Sequence, residues 1–208
     1  MSDCIITRRD GFVTIEFDNY KIYSDTLNRS TPTALSTARR WLAGASVGDY
    51  ALFAGGDTGS YSSVVDAYDT ELTRTTPTAL STARGQLAGA SVGDYALFAG
   101  GDTGSYSSVV DAYDTELTRT TPTALSTARL GLAGASVGDY ALFAGGYTGS
   151  HSSVVDAYDN LKVLNIPVTS GSKYKLNSDT EVTATANTVL EVKAPITGYI
   201  KYKGGKFE

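Results

Sequence analysis

The stretch from Leu42 to Tyr68 reads LAGASVGDYALFAGGDTGSYSSVVDAY, and its pattern of apolar and polar residues decides the fold. Alternation with a period of two residues predicts strands at Leu42 to Val47, Tyr50 to Ala54 and Ser62 to Tyr68. The pair Gly48-Asp49 predicts a tight turn between the first two strands, and the glycine-rich segment after the second strand predicts a loop. The stretch therefore indicates a hairpin followed by a third antiparallel strand.

The same stretch belongs to a unit of 45 residues that occurs three times. Residues 31–75 recur as 76–120 and, as far as Asp159, as 121–165. A shorter and more polar fourth strand is predicted at Leu72 to Thr75, before a connection that starts with Thr-Pro in each copy. Repetition at a fixed period is typical of proteins in which stacked units bury a common core. Four strands in each repeat indicate the blade of a β-propeller.

The composition of the 208 residues agrees with an all-β fold and limits the partners. Apolar residues make up 41% of the chain and charged residues 19%, with 14 tyrosines and 22 glycines, which is typical of strands joined by tight turns. Residues 23–160 hold 14 acidic side chains, seven arginines and no lysine, whereas residues 161–208 hold seven lysines and four acidic side chains. Because nucleic acids and anionic membranes require a concentrated basic surface, we expect neither as a partner.

Three short motifs in each repeat resemble those of a known family. A double glycine, Gly55-Gly56, ends an apolar strand, Tyr68-Asp69 follows it, and Ala83-Arg84 precedes the next hairpin. This combination resembles the kelch repeat, and the second and third copies match it at Gly100-Gly101 with Tyr113 and at Gly145-Gly146 with Tyr158. Kelch blades usually carry a tryptophan where these copies have Thr75, Thr120 and Asn165. The resemblance implies a propeller fold and no particular activity.

Three blades are too few for a closed ring, because β-propellers usually have roughly four to eight. Residues 1–30 hold two predicted strands, Cys4 to Thr7 and Phe12 to Phe17, and the end of an earlier blade around Tyr23. Residues 161–208 place Pro167 in register with the prolines that open the repeats and hold four predicted strands, Lys173 to Leu176, Glu181 to Thr185, Val189 to Lys193 and Gly198 to Tyr202.

Two ways of closing the ring follow from the division of the chain into 1–30, 31–160 and 161–208. In the first, degenerate terminal blades complete the ring of a monomer. In the second, a homo-oligomer pools the repeats of two or more chains. The lysine-bearing C-terminal segment has none of the kelch motifs, and this favours the homo-oligomer.

Few residues in the chain suit catalysis or metal binding. His151 is the only histidine and Cys4 the only cysteine, which excludes multi-histidine metal sites and disulfides within one chain. The kelch family includes copper oxidases of the galactose oxidase kind, but these need several histidine and tyrosine ligands. We therefore expect no enzymatic activity, no cofactor and no metal. The segment from Asp57 to Ser60 is interpreted as a turn and not as a calcium site.

Charged residues recur within and just before the predicted strands. The aspartates are Asp66, Asp111 and Asp156, and the arginines are Arg39, Arg84 and Arg129. Because a buried charge requires a partner, we expect these residues to pair within or between blades. The double glycines are expected to serve backbone conformation and not phosphate binding, since no helix or lysine follows them.

Through Asp159, the three copies differ at four positions, which form two sites. The pair Arg40-Trp41 is replaced by Gly85-Gln86 and Leu130-Gly131, and in the glycine-rich loop Asp57 and Asp102 are replaced by Tyr147, and Tyr61 and Tyr106 by His151. Both sites tolerate large changes in size and charge, so neither belongs to the core. In an up-and-down blade this loop and the connection between blades open on the same face. All of the variation is therefore predicted to lie on one face.

An invariant framework with one variable face is typical of binding or display modules. The predicted ligand, a protein or a glycan, would contact Arg40, Trp41, Asp57, Tyr61, Gln86, Asp102, Tyr106, Leu130, Tyr147 and His151. Drift after duplication would also alter exposed loops, but the confinement of the variation to one face favours binding. The near-identical repeats are also similar to those of bacterial or prophage surface and tail proteins. The alternative function is thus a structural or receptor-binding component of a bacterial surface or phage tail assembly.

The ends and the hydropathy of the chain bear on its location. The N-terminus shows no apolar run of the length that a signal peptide needs, and no stretch of 18 apolar residues occurs. We expect a soluble protein that is either cytoplasmic or associated with a virion or cell surface.

Overall fold

The computed structural model describes residues 29–160 in full, the turn at 170–171 and the backbone of eight further strands. The described residues form strands, turns and loops and contain no helix, so the predicted all-β class is confirmed. The chain divides into two compact units, Met1–Pro32 and Thr33–Glu208. In the first unit, β1 (Cys4–Arg9) pairs antiparallel with β2 (Phe12–Phe17). The blade end predicted around Tyr23 lies outside the described residues.

The first two repeats each form a four-stranded antiparallel sheet whose strands follow chain order, as predicted. Blade 1 consists of β3 (Ala43–Val47), β4 (Tyr50–Ala54), β5 (Val65–Tyr68) and β6 (Arg74–Thr75). Blade 2 consists of β7 (Ala88–Val92), β8 (Tyr95–Ala99), β9 (Val110–Tyr113) and β10 (Arg119–Thr120). Val47 lies opposite Tyr50, so Gly48-Asp49 forms the predicted two-residue turn.

The third strand of each blade is shorter than the sequence predicts. Residues Ser62 and Ser63 precede β5 and bond to the connection instead of the sheet. The Leu80 amide donates to the Ser63 carbonyl at 2.8 Å, and the Arg84 amide donates to the Ser62 carbonyl at 3.1 Å. The connection to the next blade is thus hydrogen-bonded to the blade that precedes it.

The third repeat differs from the first two in having three strands. Blade 3 consists of β11 (Ala133–Val137), β12 (Tyr140–Ala144) and β13 (Val155–Asp159). The fourth strand predicted for this repeat is wrong, because the following residues form β14 (Leu161–Val168), which pairs with β17 (Thr188–Pro195). Pro167, interpreted as part of a connection, lies within β14 opposite Val189. A two-stranded sheet has only edge strands, where proline is tolerated.

The remaining C-terminal strands form two further two-stranded antiparallel sheets. They are β15 (Lys173–Tyr174) with β16 (Val182–Thr183), and β18 (Tyr202–Lys203) with β19 (Lys206–Phe207). The four strands predicted here overlap β15, β16, β17 and β18, whereas β14 and β19 were not predicted. The described part of this segment contains no four-stranded blade.

The cores of the repeats lie between blades. Leu52 and Val65 of blade 1 pack with Phe98 and Tyr113 of blade 2, and all four side chains are buried. The equivalent cluster between blades 2 and 3 contains Leu97, Val110 and Phe143. A single blade therefore cannot bury its own apolar face, as expected of a repeat protein. The described strands form blade-like sheets without closing into a ring.

The innermost strands of neighbouring blades approach each other very closely. The Ser91 hydroxyl donates to the Ser46 carbonyl at 2.6 Å, and the Ser136 hydroxyl donates to the Ser91 carbonyl at 2.6 Å. A Cβ atom added to Gly89 would overlap the Gly44 carbonyl, and one added to Gly134 would overlap the Gly89 carbonyl. Glycine is required at these positions because the backbone of the preceding blade occupies the side-chain space.

Candidate functional site

The two variable sites of each blade are joined by backbone hydrogen bonds. The Arg40 amide donates to the Asp57 carbonyl at 3.0 Å, and the Asp57 amide donates to the Arg40 carbonyl at 2.8 Å. Asp57 also forms a β-bridge with Tyr61. Blades 2 and 3 repeat these bridges, with Gly85, Asp102 and Tyr106 in one and Leu130, Tyr147 and His151 in the other. The connection and the glycine-rich loop therefore form one surface in each blade.

The glycine-rich loop is a turn, as predicted. The Gly59 amide donates to Asp57 Oδ1 at 2.8 Å, and the Thr58 amide donates to the Ser60 carbonyl at 3.0 Å. The first of these bonds uses the carboxylate that a calcium site would need. In blade 3 tyrosine replaces the aspartate, and the Thr148 amide still donates to the Ser150 carbonyl at 3.1 Å. The backbone bond keeps the loop closed when the side chain changes.

Variable residues of one blade also contact those of the next. The Tyr61 hydroxyl donates to the Asp102 carboxylate at 2.5 Å, and this hydrogen bond raises the pKa of Tyr61. The rings of Tyr106 and Tyr147 meet edge to face with their centroids 6.0 Å apart. The second loop position of each blade thus meets the first loop position of the next blade.

A backbone ladder continues this linkage at the other variable site. The Gln86 amide donates to the Trp41 carbonyl at 2.9 Å, and the Gly131 amide donates to the Gln86 carbonyl at 2.9 Å. The ten predicted site residues therefore lie on one continuous surface, which we call the variable face. Its members are Arg40, Trp41, Asp57, Tyr61, Gln86, Asp102, Tyr106, Leu130, Tyr147 and His151.

Large aromatic side chains dominate the exposed part of the variable face. Trp41 is 46% exposed, Tyr106 41% and Tyr147 40%. The Arg40 guanidinium lies 3.9 Å from the centre of the Trp41 ring, which is a cation–π contact. His151 lies beside Tyr147 with ring centroids 6.1 Å apart. Rings with adjacent charged and hydrogen-bonding groups can contact a ligand by stacking and by hydrogen bonds.

The backbone under the variable face is strained at two positions that sequence reasoning missed. Trp41 has φ of 58° and Gln86 has φ of 53°, a left-handed conformation that disfavours residues with a Cβ atom. The third copy has Gly131 at the equivalent position with φ of 61°. The glycine at this position of the third copy was the sequence signal from which a left-handed backbone could have been predicted. Such strain persists only where surrounding contacts hold it, here the ladder between blades.

Buried ion pairs support the strands from which the variable loops emerge. Arg39 Nη1 lies 2.7 Å from Asp66 Oδ2, and both side chains are fully buried. Arg84 pairs with Asp111 and Arg129 with Asp156, each at 2.8 Å. The predicted pairing is confirmed, and each pair lies within one 45-residue repeat.

Arg39 also hydrogen-bonds to the backbone at the end of β4. Its guanidinium donates to the Gly55 carbonyl at 2.7 Å and to the Phe53 carbonyl at 3.0 Å. Burial by itself would raise the pKa of Asp66, but hydrogen bonds from Ser36 and Arg39 outweigh it and hold that pKa below its usual value. The ionised carboxylate therefore stabilises the folded chain.

The double glycine brings the connections of successive blades together. Gly56 has φ of 112°, and a Cβ atom there would lie 2.8 Å from the Arg40 carbonyl. Its amide donates to the Arg84 carbonyl at 2.9 Å. The backbone role predicted for Gly55-Gly56 is confirmed.

The described residues offer few other candidate sites. A cavity of about 240 Å³ between blades 2 and 3 is lined in part by Val92, Tyr95, Leu97 and Tyr158, and it includes none of the predicted site residues. Within the described part of the chain, no group of three or more His, Cys, Asp or Glu side chains is placed to hold a metal ion. The same residues include no helix long and apolar enough to cross a membrane.

No protein-family model matches the chain, and a search of curated proteins finds no significant match. The kelch resemblance stays a prediction that rests on the repeated motifs.

Proposed function

We propose that the repeats are kelch-like β-propeller blades and that the chain is a non-enzymatic binding module whose variable face contacts a protein or a glycan. The observation that carries the proposal is the set of exposed aromatic side chains on the variable face, Trp41, Tyr106 and Tyr147, of which the last two are in contact across blades 2 and 3. Contiguous apolar surface on a folded protein marks an interaction site more often than scattered exposed residues do.

The chemistry of the variable face suits an uncharged ligand or one that carries both apolar and polar groups. Trp41 with its adjacent guanidinium offers a flat surface for a sugar ring or an apolar side chain. On blade 3, the adjacent Tyr147 and His151 add a hydroxyl and an imidazole. Asp57 and Asp102 already accept hydrogen bonds from the protein, whereas the exposed aromatic rings remain available to a ligand. Rigid aromatic side chains of this kind anchor the interfaces of repeat binders and antibodies.

The test is a glycan array probed with the labelled full chain, followed by calorimetric titration of each glycan that binds. Immobilised chain incubated with purified surface proteins tests protein ligands in parallel. Replacing Trp41, Tyr147 and His151 together with alanine is expected to abolish binding, because it removes two of the three large exposed aromatic side chains of the face and the imidazole beside one of them.

Leu72→Ala is the matched control for this experiment. Leu72 is 46% exposed, the same fraction as Trp41, but it lies in the turn between β5 and β6, at the opposite end of the strands. The control is expected to bind as the unaltered chain does. If the triple variant kept the affinity for every ligand found, the variable face would not be the binding site.

A structural role in a bacterial surface or phage tail assembly is the second candidate. It is supported by the apolar sheet surface that remains exposed on the outer side of blade 3, where Val137 and Val155 lie. Negative-stain electron microscopy separates the two candidates, since an assembly component forms extended fibres or large rings and a binding module forms small particles.

A further inference from the structure

We propose that blade 3 of one chain packs against blade 1 of a second copy of this chain, and blade 3 of the second copy against blade 1 of the first. Two chains then form one closed ring of six blades. This proposal concerns surfaces between blades and stands whether or not the variable face binds a ligand.

The two end blades expose opposite and complementary sides. On blade 3, Val137 is 62% exposed and Val155 57%, whereas the equivalent valines of blades 1 and 2 are buried under the next blade. On blade 1, Phe53 is 37% exposed, whereas Phe98 and Phe143 are buried under the preceding blade. Among the described residues, therefore, no blade follows blade 3 and none precedes blade 1. Because the copies are nearly identical, blade 1 of a second chain can pack on blade 3 as blade 2 packs on blade 1.

Gly44 indicates that another backbone packs on blade 1. At Gly89 and Gly134 a Cβ atom would overlap the backbone of the preceding blade, so glycine is required there. At Gly44 the nearest atom to an added Cβ is Phe53 Cε1, at 3.5 Å, which is an ordinary contact. Nothing in the described residues requires glycine at this position. The carbonyl of Gly134 in a second chain would occupy that space and impose the requirement.

The pocket beside the double glycine of blade 3 shows the same incompleteness. Around Gly55, the space where a Cβ would lie is closed by Leu80 and Leu87 of the following connection and blade. Around Gly145, the nearest atom to an added Cβ is the Ser152 carbonyl oxygen at 3.7 Å. The leucines that precede blade 1, Leu35 and Leu42, are the equivalent residues of a second chain. They are only partly buried in their own chain.

The variable loops supply a matching polar pair across the new contact. The second loop position of each blade meets the first loop position of the next, as Tyr61 with Asp102 and Tyr106 with Tyr147. By the same arrangement, His151 meets Asp57 of the second chain, an imidazole facing a carboxylate. The three junctions then have three different pairs, so the contact between chains differs from both contacts within a chain.

Two chains are the number that closes the ring. Six blades lie within the range of roughly four to eight found in β-propellers, whereas three chains would give nine. A twofold axis through the ring centre makes both head-to-tail contacts identical and leaves no blade uncovered.

Light scattering coupled to size-exclusion chromatography tests the proposal on the full chain, which is expected to have the mass of a dimer. Gly44→Ala is expected to produce a monomer, because the added methyl group fits within one chain and overlaps the backbone of the second. Gly89→Ala is its matched control, since the same methyl group overlaps Gly44 inside the chain. It is expected to lower the thermal unfolding midpoint, whereas Gly44→Ala keeps the β-sheet circular dichroism spectrum.

A second pair of variants makes the test independent of glycine. Val155→Arg places a charge on the open side of blade 3 and is expected to produce a monomer. Thr73→Arg is the control, because this position is exposed in blade 1 and its equivalent, Thr118, is exposed in the middle blade. If Gly44→Ala fails to fold, Val155→Arg decides alone. A monomeric unaltered chain, a mass above two chains, filaments, or a dimer that survives Val155→Arg would each overturn the proposal.

Discussion

Replacing Arg84 with methionine is expected to destabilise the protein more than any single replacement on the variable face. The Arg84 side chain is fully buried, and its Nη1 lies 2.8 Å from Asp111 Oδ2. It also donates to the Phe98 carbonyl at 3.0 Å and to the Thr82 carbonyl at 3.2 Å. Methionine fills part of the same volume but leaves these three acceptors without the guanidinium.

The size of the effect follows from what remains around Asp111. Removing one partner of a buried ion pair typically costs about 3–5 kcal/mol, because the other charge stays buried. Arg119 remains 2.9 Å from Asp111 and is partly exposed, so we expect the lower end of that range, about 3 kcal/mol. Arg40→Met is the control, since its side chain is 67% exposed and lies 3.7 Å from Asp57. Exposed pairs contribute less than about 1 kcal/mol.

Equilibrium unfolding in urea, followed by circular dichroism, measures these differences in the free energy of unfolding. The double variant Arg84→Met with Asp111→Leu removes both buried charges and is expected to be more stable than Arg84→Met alone. A loss below about 1 kcal/mol for Arg84→Met would show that the pair does not support the blade. A double variant less stable than the single one would show that an unpaired Asp111 charge is not the source of the loss.

Acid is expected to weaken the fold through Asp66, because the pKa of this carboxyl is lower in the folded chain than the unfolded value of 3.8. The ionised carboxylate stabilises the fold fully above pH 3.8, and this stabilisation is lost as the pH falls from there through the folded pKa. Asp66→Asn should flatten the fall in thermal midpoint below that pH, and an unchanged slope would contradict this. Burial raises the pKa of Tyr158 to about 12, so its stabilisation is lost as the pH rises from 10 towards 12. Tyr158→Phe should remove a late step from the tyrosinate absorbance titration, and an identical curve would contradict the assignment. Gly101→Ala should lower the thermal midpoint more than Gly104→Ala, because both have positive φ but only the Cβ at Gly101 meets a backbone atom within 4 Å. Equal midpoints would refute that comparison.

Local patterns predicted the strands of a blade well and the end of the array poorly. Alternation placed Tyr50–Ala54 at its observed bounds, since Leu52 and Ala54 are buried while Ala51 and Phe53 are exposed, as a period of two implies. The third strand begins at Val65 and not Ser62, because the Ser62 hydroxyl accepts a hydrogen bond from the Val64 amide, a local bond that all three blades share. The prediction of a fourth strand in blade 3 was wrong, because β14 pairs over eight residues with β17. Local sequence does not show which distant strand competes for an edge.

The candidate site was predicted as a set of positions but not as a network of contacts. Comparison of the copies selected the ten residues, and topology indicated a common face. The Tyr61 contact with Asp102 was not predicted, because it joins residues in different repeats. The left-handed conformation of Trp41 was missed as well, since tryptophan rarely adopts it. Both features depend on how one blade is placed against the next, which a single repeat does not encode.

The pairing of the variable loops has a consequence for how the number of repeats can change. Loss of residues 76–120 would join Thr75 to Thr121, the same dipeptide that joins the second copy to the third. Tyr61 would then meet Tyr147, which reproduces the tyrosine pair of the present chain. A further copy of the same segment would set a tyrosine against an aspartate, as Tyr61 is now. Unequal recombination between the copies can therefore lengthen or shorten the array by whole repeats without creating a loop pair that the protein does not already contain.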